Sequence, residues 1–245
     1  MNNKNAIIYS SAIILAVALS CWTYLNRYPD NNDGRIEVKG MAQKDFESDL
    51  IVWEGSYKRE KVNLKEAYAA ITNDKQIVED FLVSNGVSKE NIVFGPVSTD
   101  EVFETLYSND GDIIGREFKT FNLTQEVMIE SKNVANIEKV SRMITEVLNS
   151  GVRFYSYNPR YYYSELPSLK LDLISRATED AKLRAENIVE KSGASLGDLN
   201  FADMGVLQIV GQNSDESYSW GGAFNTSSKK KTASITIDLS YDVKN

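Results

Sequence analysis

Few residues of this sequence have the types and spacing for chemistry or contact: Cys21, the tyrosines Tyr161, Tyr162 and Tyr163, and the serine-lysine run at 227–231. The chain has no histidine. Ser-His-Asp and Cys-His nucleophile pairs, imidazole metal ligands and a histidine pH switch are thereby excluded. Cys21 is the single cysteine and lies in an apolar N-terminal stretch. The rest of the chain therefore has no disulfide, no thiolate nucleophile and no cysteine zinc site. Any enzyme built from these residues would depend on carboxylates, Lys, Tyr or Ser. The expectation is a non-enzymatic protein with no catalytic residue, no cofactor and no metal. A hydrolase using two close carboxylates is the alternative chemistry.

Two kinds of motif match in letters only. Asp30-Asn31-Asn32-Asp33-Gly34 and Asn109-Asp110-Gly111-Asp112 resemble calcium loops. Setting either glycine at the sixth position puts Pro29 or Leu106 at the first, where Asp is needed, so both read as turns, the second as a hairpin turn. Ser227-Ser228-Lys229-Lys230 and Lys231-Thr232-Ala233 resemble the Ser-x-x-Lys and Lys-Thr-Gly pieces of penicillin-recognising enzymes. Those enzymes hold the serine on a buried helix well before the other piece; here both fall in one polar loop. Asn158-Pro159-Arg160-Tyr161-Tyr162-Tyr163 differs in kind, because consecutive tyrosines on a strand point to both faces. One of Tyr161, Tyr162 and Tyr163 is then exposed, as a subunit contact or a stacking platform.

The elements that must position these residues begin at the N-terminus. From Asn5 to Asn26 no residue is charged. Twenty helical residues span roughly 30 Å, the thickness of a bilayer core. Trp22 and Tyr24 suit the headgroup layer, and Lys4 holds the near end in the cytoplasm. Residues 1–27 are expected to be a membrane anchor or signal segment, with 28–34 as linker and the remainder outside the cytoplasmic membrane, facing periplasm or exterior. Ala18-Leu19-Ser20-Cys21 approximates a lipoprotein signal, so lipidation at Cys21 is the alternative tether. Lys4 and Arg27 give the first 27 residues +2; the whole chain is −8, leaving −10 on the rest. So acidic a body disfavours nucleic acid as a partner.

Beyond the linker the apolar periods alternate between strand and helix. Strands are expected at Arg35–Gly40, Ser48–Glu60, Asn91–Val97, Val102–Tyr107, Phe121–Ile129, Arg153–Tyr157, Val206–Val210 and Ala233–Val243. Leu64–Val83, Val134–Leu148 and Ser168–Lys191 have helical period. The third helix would turn Leu171, Ile174, Thr178, Ala181, Ala185 and Ile188 inward. Residues 212–231, rich in Ser, Asn and Gly, read as a flexible loop. Clean alternation in the last strand implies antiparallel pairing with helices on one face. The expected fold is α+β: mostly antiparallel sheet with three amphipathic helices on one face, arranged as two related sheet-and-helix halves within 35–245.

Ile36-Glu37-Val38-Lys39-Gly40-Met41-Ala42 resembles the opening "V-x-V-x-G-x-A" strand of the SIMPL-domain family of bacterial envelope proteins. Phe121–Ile129 followed by Asn133–Val140 is similar to its "T-x-x-V-x-V" strand and "D-x-x-K-V" helix. The stretch Ala177-Thr178-Glu179-Asp180-Ala181-Lys182 to Ala185-Glu186, running on to Ser192–Asp198, resembles "A-x-x-D-A-x-x-x-A" and "A-G-x-x-L-G". The likeness covers Arg35 to Tyr241, and a preceding membrane segment is similar to one subgroup. It implies a periplasmic or surface-facing, often oligomeric protein linked to envelope integrity and oxidative stress, and supplies no catalytic residue. The expected function is a homo-oligomeric envelope protein; a module binding an unknown ligand or peptide near the tyrosines is the alternative.

Overall fold

The computed structural model describes residues 13–24 and 34–244. Its elements run β1 (Arg35–Glu47), β2 (Leu50–Lys61), α1 (Leu64–Ser84), β3 (Ile92–Tyr107), β4 (Ile113–Ser131), α2 (Val134–Met143), β5 (Phe154–Ser156), β6 (Arg160–Tyr162), α3 (Leu166–Lys191), β7 (Ser195–Met204), β8 (Gln208–Gly211) and β9 (Lys230–Lys244). The class is α+β with antiparallel sheets, as the alternation implied. The residues divide into two compact units, and β1, α3 and β9 contribute to both.

The larger unit covers residues 43–173 and 206–235. Its five-stranded sheet has the order β3-β4-β2-β5, with β6 also paired to β2. Ile51, Trp53 and Tyr57 of β2 and Leu123, Val127 and Ile129 of β4 share one buried face, since alternate residues point the same way. Against them lie Ala67, Ile71, Val78 and Leu82 of α1 and Val134, Ile137 and Val140 of α2. Asn63 caps α1 by accepting from the Lys65 and Glu66 amides, and Asn133 caps α2 from Asn136. Gly86, at φ +81°, closes α1, where the Val87 amide returns to the Leu82 carbonyl at 3.0 Å. The expected helix to Leu148 tightens into a 3-10 turn over Ile144–Ser150. All five residues of its stripe, Val134, Ile137, Val140, Ile144 and Val147, are buried as expected.

One charged pair stands inside this core. Asp74 of α1 is fully buried, and Arg59 reaches it through two donors at 2.5 and 2.6 Å. The bidentate guanidinium supplies the compensation that a buried carboxylate requires. Beside it the Tyr57 hydroxyl donates to Gln125 at 2.7 Å, and Gln125 donates onward to the Gly95 carbonyl at 2.9 Å.

The smaller unit covers, among the described residues, 13–24, 34–42, 174–205 and 236–244. There β9 lies between β1 and β7. Lys39 meets Asp238 at 2.7 Å across the β1–β9 boundary. The β7–β9 register slips twice, between Leu196 and Leu199 and between Leu199 and Phe201. The helix packs through Ala177, Ala181, Ala185 and Val189. A Cβ on Gly40 would fall 2.1 Å from the Ala177 carbonyl, so β1 and α3 approach as closely as backbone allows. The expected inner face of α3 is corrected: Leu171 and Ile188 are 69% and 55% exposed and Thr178 is exposed too, while Leu169 and Leu173 are buried. Pro167 lies within the first turn of α3, where a missing amide proton costs nothing.

Candidate functional site

The two polar segments singled out in the sequence meet in the larger unit. Tyr161 and Tyr162 lie on β6, opposite Ile51 and Leu50 of β2. The Tyr161 amide donates to the Thr226 carbonyl at 2.7 Å, and the Lys231 ammonium donates to the Tyr161 carbonyl at 2.5 Å. The Ser48 amide, just after β1, holds the Lys229 carbonyl at 2.9 Å. The end of the serine-lysine loop is thus strapped along the tyrosine strand.

All three tyrosines are half-buried, which corrects the expectation that at least one of them is exposed. The Tyr161 hydroxyl donates to Glu138 at 3.0 Å; burial and that carboxylate push its pKa up to about 12. Tyr163 packs its ring on Phe46 at 4.8 Å, and the Tyr162 carbonyl accepts from the Asp49 amide at 3.1 Å. Tyr155 and Tyr157 on the same stretch are more open, at 46% and 47%.

Lys229 stands between Glu47 at 3.0 Å and Glu138 at 3.7 Å, which raises its pKa. Lys231 is 2% exposed, and burial pulls its ammonium down to about 8 against the pull of Glu216. Beside it is a cavity of about 10 Å³, room for one water, walled by Phe46, Tyr163, Leu166, Ile209 and Phe224. Glu216 accepts from the Gly211 amide at 2.8 Å and from Asn225, and both contacts hold its carboxyl low. The Ser228 amide donates to Asn225 at 2.8 Å. These bonds fasten a loop; the Ser-x-x-Lys letters form no proton relay. Among the described residues no group of three or more acidic or cysteine side chains is placed to hold a metal.

Cys21 is exposed within the helical residues 13–24. The rest of the expected anchor, residues 1–12 and 25–27, and linker residues 28–33 lie outside the described residues. Among the described residues no helix is long and apolar enough to cross a membrane.

The hairpin turn expected at Asn109–Asp112 is present, and the hairpin it closes is longer than expected. The expected pieces at 91–97, 102–107 and 121–129 join into one long hairpin of β3 and β4. The last pair that β2 shares with β4 is Lys61 with Phe121. Past it the hairpin continues as two strands alone, to a turn where the Gly111 amide donates to Ser108 at 3.0 Å. This arm exposes Phe103 (49%), Tyr107 (61%), Ile113 (67%) and Ile114 (66%). Phe103 and Phe118 meet edge to face at 6.0 Å, and Phe118 lies 4.8 Å from Phe121. So many large apolar side chains on one two-stranded projection suit an interaction surface. The turn sequence Asn109–Asp112 was the available signal.

The class defined by this α+β fold now has a family. The model of the SIMPL family, a protein of unknown function (DUF541), matches residues 36–244. The chain belongs to that family. No curated protein matches the sequence.

Proposed function

We propose that this chain is a non-enzymatic envelope protein, tethered by its N-terminal apolar segment, whose outer domain assembles into a homo-oligomer. The observation that carries the reading is the β3–β4 arm, with Phe103, Tyr107, Ile113 and Ile114 open to solvent beyond the edge of the sheet. Exposed aromatic and aliphatic side chains on a projecting hairpin are energetically useful only when something covers them. The tyrosine strand is the weaker interface candidate, because Tyr161 and Tyr163 spend their rings and hydroxyls on partners within the chain. Lys231, the most perturbed amine, is enclosed and engaged in holding a loop, which favours a structural role over catalysis. The uncharged run from Asn5 to Asn26, with Lys4 ahead of it, supports a tether with the domain outside. A role in envelope integrity or oxidative-stress defence is the physiological setting that this arrangement suits.

Protease added to spheroplasts tests the topology. Degradation of residues 34–244 is the expected result, and full protection would overturn it. In the same cells Cys21→Ala decides the tether: loss of both the lipid label and membrane retention would mean a lipoprotein, and retention without a label an uncleaved anchor.

A further inference from the structure

We infer that the occupant of the arm is a second copy of this chain, joined by antiparallel pairing of β3 with β3 about a two-fold axis through Phe103. This inference rests on the assembly reading above. β3 ends the order of the five-stranded sheet, and its outer edge has no strand partner among the described residues. A long unpaired edge is a template for another strand. The register with β4 shows where that edge is usable. Between Phe94 and Val97 the extra residue lies on β3, at Gly95-Pro96. At the two later slips the extra residues are Lys119 and Ile114, both on β4. Bulges twist an edge away from pairing. The β4 edge of the arm is therefore broken twice, whereas β3 runs regular from Val97 to Tyr107.

Charge selects the register. Residues 98–120 carry six carboxylates, Asp100, Glu101, Glu104, Asp110, Asp112 and Glu117, against Arg116 and Lys119, a net −4. That disfavours anionic lipid as the occupant and, between two copies, every register that sets carboxylates directly opposite. In a two-fold antiparallel pair the axis passes through a residue opposite its own copy. Centring on Asp100, Glu101 or Glu104 sets a carboxylate against itself, and centring on Val102 sets Asp100 against Glu104. Like charges directly opposite are destabilising. Centring on Thr99 runs Val102 against Pro96, which has no amide proton. Centring on Phe103 sets Glu104 against Val102, Glu101 against Thr105 and Asp100 against Leu106. It also keeps the overlap from Thr99 to Tyr107. The two Phe103 rings then adjoin, each backed by Phe118 and Phe121, and one aromatic cluster closes over both sheets.

The test is oxidative cross-linking of the full chain in detergent micelles, in a Cys21→Ser background. Phe103→Cys should give a disulfide-linked dimer, and a mixture of Glu101→Cys with Thr105→Cys should do the same with Phe103 intact. Lys119→Cys, on the broken edge, should give little. Cross-linking no better than the Lys119→Cys control, in a sample whose mass is still oligomeric, would overturn this register and leave the assembly reading standing. A monomeric mass throughout would defeat both. A cross-linked product whose mass is not twice that of the chain would mean a foreign partner on β3 and would also overturn the inference.

Discussion

Phe103 of β3 and Phe118 of β4 sit directly opposite in the hairpin ladder, rings 6.0 Å apart and edge to face, beyond the last residue pair that β2 shares with β4. They continue the line of residues that forms the core face, past the point where the sheet and α1 cover it. Their contact adds to the stiffness of the arm and leaves both rings partly wet. Phe103→Ser should therefore cost about 1 kcal/mol, the order of one aromatic pair and well short of a core truncation. Urea unfolding of variant and wild type at low protein concentration checks this, and a loss of several kcal/mol would place Phe103 in the core instead.

Asp74 behaves oppositely. It is fully buried, and its charge is compensated by the two Arg59 donors. Asp74→Ala strands the guanidinium, which still reaches water, and should cost about 3 kcal/mol, at the low end for a broken buried pair. Glu104→Ala removes the exposed contact with Lys119 and should cost less than about 1 kcal/mol. Equal effects of the two substitutions in thermal unfolding would contradict this assignment.

Lys231 should leave a pH signature. Its folded pKa is about 8 because burial disfavours the ammonium; an unfolded lysine titrates near about 10.4. Between roughly pH 8 and 10 the unfolded state holds the extra proton, so the contribution of Lys231 to stability rises with pH there. Chemical denaturation at pH 8 and pH 10 should show wild type gaining on Lys231→Met over that interval. Parallel pH curves for the two proteins would contradict it.

The loop expected over 212–231 ends at 229, since Lys230 and Lys231 begin β9, and it should be cut first in limited proteolysis, within 213–222. Asn225, Ser228 and Lys231 are hydrogen-bonded into the larger unit, whereas Trp220 is fully exposed. Cleavage in α3 at an equal rate would refute the mobility assigned to this stretch.

Periodic burial was the legible part of the sequence. The α2 stripe and, in the last strand, Ala233, Ile235, Ile237, Leu239 and Tyr241 are buried as expected, but Val243 is half-buried and Ser234 and Ser240, on the face expected to be wet, are buried too. The face of α3 was misread because Leu171 and Ile188 are large and apolar yet exposed; close approach at Gly40 selects the alanine line instead. β7 was missed because its two register slips destroy the two-residue period of Leu196, Leu199 and Phe201. The burial of Lys231 depends on Phe46, Tyr163 and Leu166, distant in sequence, so the lysine run reads from sequence as part of a polar loop. The turn of the arm was legible at Asn109–Asp112, but its projection was not. Its apolar residues face no core, and only the end of β2 at Lys61 shows that they project beyond the sheet.

The central claim is self-assembly through the arm, and the mass of the full chain in detergent across a concentration series tests it most directly. Light scattering should give a multiple of the 27.5 kDa chain at high concentration. Phe103→Arg, which sets two cations together at the axis, should weaken association at least tenfold while leaving the fold intact. A protein mass of one chain at every concentration would contradict the claim.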